Sequence, residues 1–274
     1  MTLVLALLGS LMWGIADFLG GLLSKTYKVA FVLVVSQTFG LITMGIYFVL
    51  SQDLWDWRAA VMASLASFSG FFGMMSFYKA LSTGTMGIVS PIASLGAIVP
   101  VAVGLASGEQ PSGMQFLGIL FALIGVALAS GPELSGASAA KPVVLAIMAA
   151  IGFGTCFVFL KHGGEYSVTT TMVLMRVQSV IIGLVMVLRA KSIVKIQPRH
   201  FWLLVVIGAF DVLANVTFAI ASQSDMLALV SVLSSLYPVV TVLMAWAILK
   251  ERMMTIQYVG VVISLFGVCQ IALG

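Results

Sequence analysis

Three charged residues stand deep inside apolar runs: Asp17, Arg176 and Asp211. A carboxylate in such a setting holds a proton, a cation or a basic side chain, and a guanidinium holds carboxylates. Asp17 lies in LMWGIADFLGG, residues 11–21. On a helix, Ser10, Trp13, Asp17, Gly21 and Ser24 recur every three or four residues, forming one small, polar stripe with a single aromatic. Asp17 falls roughly 7 Å past the centre of its run. It reads either as a proton or cation site facing an interior cavity, or as half of an ion pair with Lys79, which could equally reach for the interface.

Arg176 and Asp211 sit near the centres of neighbouring apolar runs joined by a short polar segment. On antiparallel helices their depths differ by about 4–5 Å, within reach of a salt bridge. Asn215 follows Asp211 by one turn on the same face. The pair either holds two helices together or forms a polar face for a charged substrate, and both hold if substrate competes for one partner.

Other candidates are neutral. SPIASLGAIVP (90–100) carries Pro91 and Pro100, and SSLYP carries Pro238. A proline inside a helix frees a backbone carbonyl. Ser90, Ser94, Ser234 and Ser235 are placed to satisfy such groups or to line a polar surface; close packing by small residues is the plainer alternative. Trp13, Tyr78 and Tyr237 are candidates to surround an apolar or cationic substrate, or else they simply pack. Glu109 and Glu251 are expected to cap helix ends or pair with bases such as Arg252. His162 and His200 fall in expected loops and give no reason for a proton relay. No Walker loop, HExxH, CxxC or supported Ser-His-Asp pattern is present, so neither an enzyme nor a bound cofactor or metal is expected.

The elements that position these residues follow from composition. The chain has 274 residues, 61% of them hydrophobic and 8% charged, with a mean hydropathy of +1.18. Soluble domains carry about a quarter charged residues, so lipid must replace water around this one. Ten apolar runs of membrane-crossing length are expected, at 2–23, 29–50, 58–81, 84–107, 113–131, 142–161, 169–189, 200–222, 226–249 and 255–273. The first lacks a basic leader and reads as a retained span. The net charge of +4 is scattered through short loops, which argues against nucleic acid. Cys156 and Cys269 lie in apolar runs, so no disulfide framework is expected. Nothing in the sequence sets an oligomeric state.

The chain also repeats itself. GEQPSGMQFLGILFALIGV (108–126) matches KERMMTIQYVGVVISLFGV (250–268) at a shift of 142, pairing Glu109 with Glu251, Gln115 with Gln257, Gly118 with Gly260 and Gly125 with Gly267. The small, polar stretch SGPELSGASAAKP divides the chain. The expected organisation is a first five-helix unit at 1–131, a linker at 132–141 and a second unit at 142–274. Two related units of five spans must enter the membrane from opposite sides, which makes the repeat inverted. The fold class expected is thus an all-α integral membrane protein of ten transmembrane helices in two inverted repeats.

The paired GE…Q…G…GV segments, the proline-containing fourth and ninth spans and the WG of the first resemble EamA-like members of the drug/metabolite transporter superfamily over nearly the whole chain. The resemblance implies a central cavity between the halves, lined by the first, third, fourth, sixth, eighth and ninth spans. It also implies carriage of small metabolites such as amino acids, amines, sugars or toxic organic compounds. The expected function is secondary transport of a small polar or amphiphilic metabolite across the cell (plasma or inner) membrane, with Asp17 or Asp211 exchanging the proton if coupling is to protons. The substrate and the lipid bilayer are the partners. The alternative is a non-transporting membrane subunit or a lipid scramblase. Ten of the 13 Lys and Arg lie on one side of the expected topology, which by the positive-inside rule puts both termini outside, against the cytoplasmic termini described for many relatives.

Overall fold

The computed structural model describes residues 2–51, 54–129, 137–224, 226–250 and 254–273. Among them it is helical, with no strand. The helices are α1 (Thr2–Leu23), α2 (Val29–Ser51), α3 (Trp57–Thr83), α4 (Met86–Ser94), α5 (Ile98–Ala106), α6 (Gly113–Ala129), α7 (Ala137–Arg189), α8 (Pro198–Ser224), α9 (Leu227–Ser234), α10 (Tyr237–Met244) and α11 (Thr255–Leu273). A 3-10 turn, Leu95–Ala97, joins α4 to α5, and a π-helical turn, Ala245–Leu249, follows α10. Seven helical stretches among the described residues are long and apolar enough to cross a membrane, and two apolar helices are shorter. Large apolar side chains such as Val49, Phe68 and Val262 point outward, as a lipid-facing surface requires. Of the expected linker, residues 132–136 lie outside the described residues, as do Glu251 and Arg252, while residues 137–141 are already helical at the start of α7.

The loop expected at 162–168 is absent. Helix α7 continues through Gly163 and Gly164 and breaks only at Ser167, whose backbone is extended (φ −164°, ψ 114°). Ser167 Oγ accepts from Thr170 N at 3.1 Å, so it caps a second helix beginning at once. Gly163 has room for no side chain, because a Cβ there would meet Thr171 at 2.8 Å. Phe153 and Ser179 line one cavity, yet on a straight helix they would stand about 39 Å apart. The chain therefore folds back on itself at Ser167.

The broken spans are where the prolines lie. Pro91 lacks the N–H that would reach the Gly87 carbonyl. The expectation that serines serve such freed groups is corrected: Gln257 Nε2 donates to Gly87 O at 3.3 Å. Ser94 and Ser235 instead bond back to Pro91 O (2.9 Å) and Val232 O (2.8 Å) on their own helices, the local option always open to a serine hydroxyl. Glu109 caps across the molecule, with its two oxygens accepting from Leu227 N (2.8 Å) and Ala228 N (3.0 Å) at the start of α9. It also pairs with Lys161 at 3.5 Å. The matched glutamines do one job, since Gln115 Oε1 accepts from Ser112 N at 2.8 Å and Gln257 Oε1 from Met254 N at 2.7 Å.

Helices α6 and α11 pack through their glycines. A Cβ on Gly118 would lie 2.7 Å from Gly267 O, and one on Gly125 would lie 2.6 Å from Gly260 O. As α6 advances its contacts on α11 recede, so the two helices run antiparallel. At the shift of 142, Gly118 corresponds to Gly260 and Gly125 to Gly267, so each glycine meets the counterpart of the other. Ser264 Oγ, the counterpart of Ala122, reaches Ala122 O at 3.5 Å. Contacts that exchange under the repeat are the mark of a two-fold relation.

Candidate functional site

Close backbone approach assembles the site. On α1, the Gly14 of the WG pair leaves room for the Tyr237 carbonyl of α10, 2.7 Å from where its Cβ would be. Thr241 Oγ1 also donates to Gly14 O at 3.1 Å. This fixes Trp13 against Phe157, with ring centroids 5.3 Å apart, and Phe157 stacks on Phe218 at 4.5 Å. Helices α2 and α8 cross at Gly40 and Gly208. A Cβ on Gly208 would lie 2.0 Å from Ser36 O. No larger residue fits, and the closeness brings Gln37 of α2 onto Asp211 of α8.

The polar centre is one connected network. Arg176 Nη1 donates to Asp211 Oδ2 at 2.7 Å and to Gln37 Oε1. Gln37 Nε2 donates to the same Asp211 oxygen at 3.0 Å. Asn215 Nδ2 donates to Asp211 Oδ1 at 3.1 Å and to its backbone carbonyl at 2.6 Å. Every member is buried, Arg176 most deeply, at 1% exposed. Such a pair is kept only where hydrogen bonds complete it, as they do for Asp211.

The network is unfinished on one side. Arg176 Nε and Nη2 have no hydrogen-bond partner, and neither does the Tyr237 hydroxyl. Asp17 is 4% exposed and makes no hydrogen bond or ion pair with any described residue. Lys79, the expected partner, is exposed on α3, with no ion pair to Asp17. Asp17 and Asp211 lie within electrostatic range of each other.

These groups surround a cleft of about 580 Å³ of non-atom space, part of it open to the outside. Trp13, Asp17, Arg176, Asp211, Asn215 and Tyr237 line it. Tyr78, Ser94 and Ser235 do not: all three are buried, Tyr78 with its hydroxyl turned to Ala16 O at 3.4 Å and the two serines bonded back to their own helices. The lining draws on α1, α2, α3, both arms of α7, α8 and α10. Relative to the expected set, the fourth span drops out and the second and seventh come in. Sequence reasoning missed Gln37, Phe153, Phe157, Cys156 and Ser179. Of these Gln37 carried a signal, as an amide inside an apolar span. Cys156 and Cys269 are both free. No cluster of residues suited to a metal is found among the described residues.

A sequence profile described as "EamA-like transporter family" matches residues 1–131 and again 140–273. A solved structure described only as "Crystal structure of protein" is similar, with a TM-score of 0.72 at 17% identity, covering 97% of this chain and 96% of that one. At that identity the likeness is one of fold alone. No curated protein matches.

Proposed function

Because the chain belongs to the EamA-like transporter family, whose members are multi-pass membrane transporters and not enzymes, we propose that it is a secondary active transporter of a small polar or amphiphilic metabolite, an amine or amino acid. Substrate binds in the central cavity, and access alternates as the two halves rock around it. The observation that carries this reading is the cavity itself. It is lined by aromatic side chains and holds a carboxylate, Asp17, without a partner among the described residues. An intramembrane acid is costly to insert, and one with no structural partner is explained by a ligand or a proton.

The reading includes ten spans in two inverted five-helix units, 1–131 and 142–274, joined by the linker at 132–141. The break at Ser167, which divides α7, and the exchange of counterparts between α6 and α11 support it. Asp17, with Asp211, is the proton-coupling group. Purified protein in proteoliposomes, given radiolabelled amines, amino acids and sugars, should accumulate at least one of them, and more so with a pH gradient. If no member moves through correctly folded protein, the transport reading fails and the non-transporting alternatives gain.

Both termini are assigned to the outside. Tyr27 Oη and His200 Nδ1 lie 2.9 Å apart, and Lys28 Nζ donates to Ala190 O at 3.3 Å. The α1–α2 and α7–α8 turns thus meet at one end of the bundle, with Lys25, Lys28, Arg189, Lys191, Lys195 and Arg199 in or flanking them, as the positive-inside rule asks of a cytoplasmic face. A membrane-impermeant maleimide should label Lys195→Cys, in a background otherwise free of cysteine, only after the cells are opened. Labelling of intact cells would reverse the assignment.

A further inference from the structure

We infer that the end of the bundle where the α1–α2 and α7–α8 turns meet is a docking surface for an anionic phospholipid, with its phosphate on lysines and arginines and its chains against an apolar loop. The inference is independent of what the cavity carries.

Six cations gather there: Lys25, Lys28, Arg189, Lys191, Lys195 and Arg199, all exposed. Neither turn, taken as residues 24–30 and 187–203, contains an acidic residue. The turns are joined at two points. Lys28 Nζ donates to Ala190 O at 3.3 Å, between Arg189 and Lys191. Tyr27 Oη accepts from Gln197 N at 3.2 Å and meets His200 Nδ1 at 2.9 Å, beside Arg199. The charges are thereby drawn together, and like charges so placed repel one another. Lys191 also sits in the left-handed region (φ 44°), which glycine occupies more easily at a helix end. A bound anion relieves the repulsion.

The loop between the two helices says which anion. Ile193 and Val194 are exposed, with Lys191 and Lys195 on either side. Leu188 before the loop and Trp202 after it are exposed as well, and tryptophan settles at the level of lipid headgroups. A segment lying in the interface needs this mixture: its apolar side chains enter the acyl boundary while its lysines stay among the phosphates. Free phosphate would answer the cations alone, whereas a lipid answers both features. Clusters of about four to eight bases beside a span are the pattern of anionic-lipid recognition.

The test compares phosphatidylglycerol with phosphatidylcholine of the same chains, bound to full-length protein in detergent and counted by native mass spectrometry. The anionic lipid should bind about 10–100-fold more tightly. Lys25→Gln/Lys191→Gln/Lys195→Gln should abolish that preference. Lys79→Gln/Lys141→Gln/Lys250→Gln removes three exposed cations outside the two turns and should keep it. Equal binding of the two lipids by the wild type overturns the inference, however the variants fold. A preference lost equally in both variants also overturns it, being the mark of diffuse charge. Glycerol 3-phosphate or a glutamate-rich peptide that displaces phosphatidylglycerol at equal concentration does the same, and assigns the patch to a free anion or an acidic protein.

Discussion

Asp211→Ala is expected to lower the stability of the purified protein by about 3–5 kcal/mol, the usual consequence of removing one partner from a buried ion pair. The substitution takes away the acceptor of Arg176 Nη1 and Gln37 Nε2 and one of the two acceptors of Asn215. Arg176, 1% exposed, would keep only Gln37 Oε1 against a full buried charge. The double variant Arg176→Met/Asp211→Leu removes both charges and is expected to recover most of the loss, because an apolar pair of similar volume packs without desolvation. Denaturant unfolding in detergent, with tryptophan fluorescence as the probe, measures both. A single variant as stable as wild type would show that the pair is not what joins α7 to α8. Recovery in the double variant without recovery of transport would separate the pair's structural share from its part in binding.

Asp17→Asn is expected to bring accumulation driven by a pH gradient down to simple equilibration. Asparagine has the shape of aspartate, but it neither takes up nor releases a proton in the accessible range. Exchange of labelled for unlabelled substrate needs no proton and should continue at saturating concentration, with a raised half-saturation because an ammonium then meets an amide instead of a carboxylate. Proteoliposomes with an imposed gradient, compared with counterflow in the same vesicles, give the two readings. Undiminished accumulation in the variant would clear Asp17 of coupling and leave Asp211 to be tested in its place.

Much of this architecture could be read from residue order, for physical reasons. Membrane-length apolar runs announce themselves, because nothing else tolerates twenty such residues in a row. The broken spans followed from Pro91, Pro100 and Pro238, and the Arg176–Asp211 pair followed from the expense of lone charges in lipid. The missed features share another cause. Gln37 is neutral, so the signal of its amide was weaker than that of a charge. The crossing at Gly40 and Gly208 and the service of Gln257 to the Gly87 carbonyl join residues about 170 positions apart, and no local pattern marks them. The loop expected at 162–168 was misread because glycines usually break helices, whereas Gly163 and Gly164 are held helical by close neighbours. Tyr78 was nominated as an aromatic and Ser94 and Ser235 for their place beside the prolines, and neither signal says which way a side chain turns.

The crossing of α6 on α11 bears on motion. A joint whose contacts exchange with their own counterparts looks the same from either half. If each half took up the other's shape, Ala122 and Ser264 would still face one another and the four glycines would still interleave. In the proposed cycle that joint would serve as a fixed pivot while the cleft opens first to one side of the bilayer and then to the other. In the proposed alternating-access cycle, the two open forms would be built from the same pair of shapes dealt the other way round.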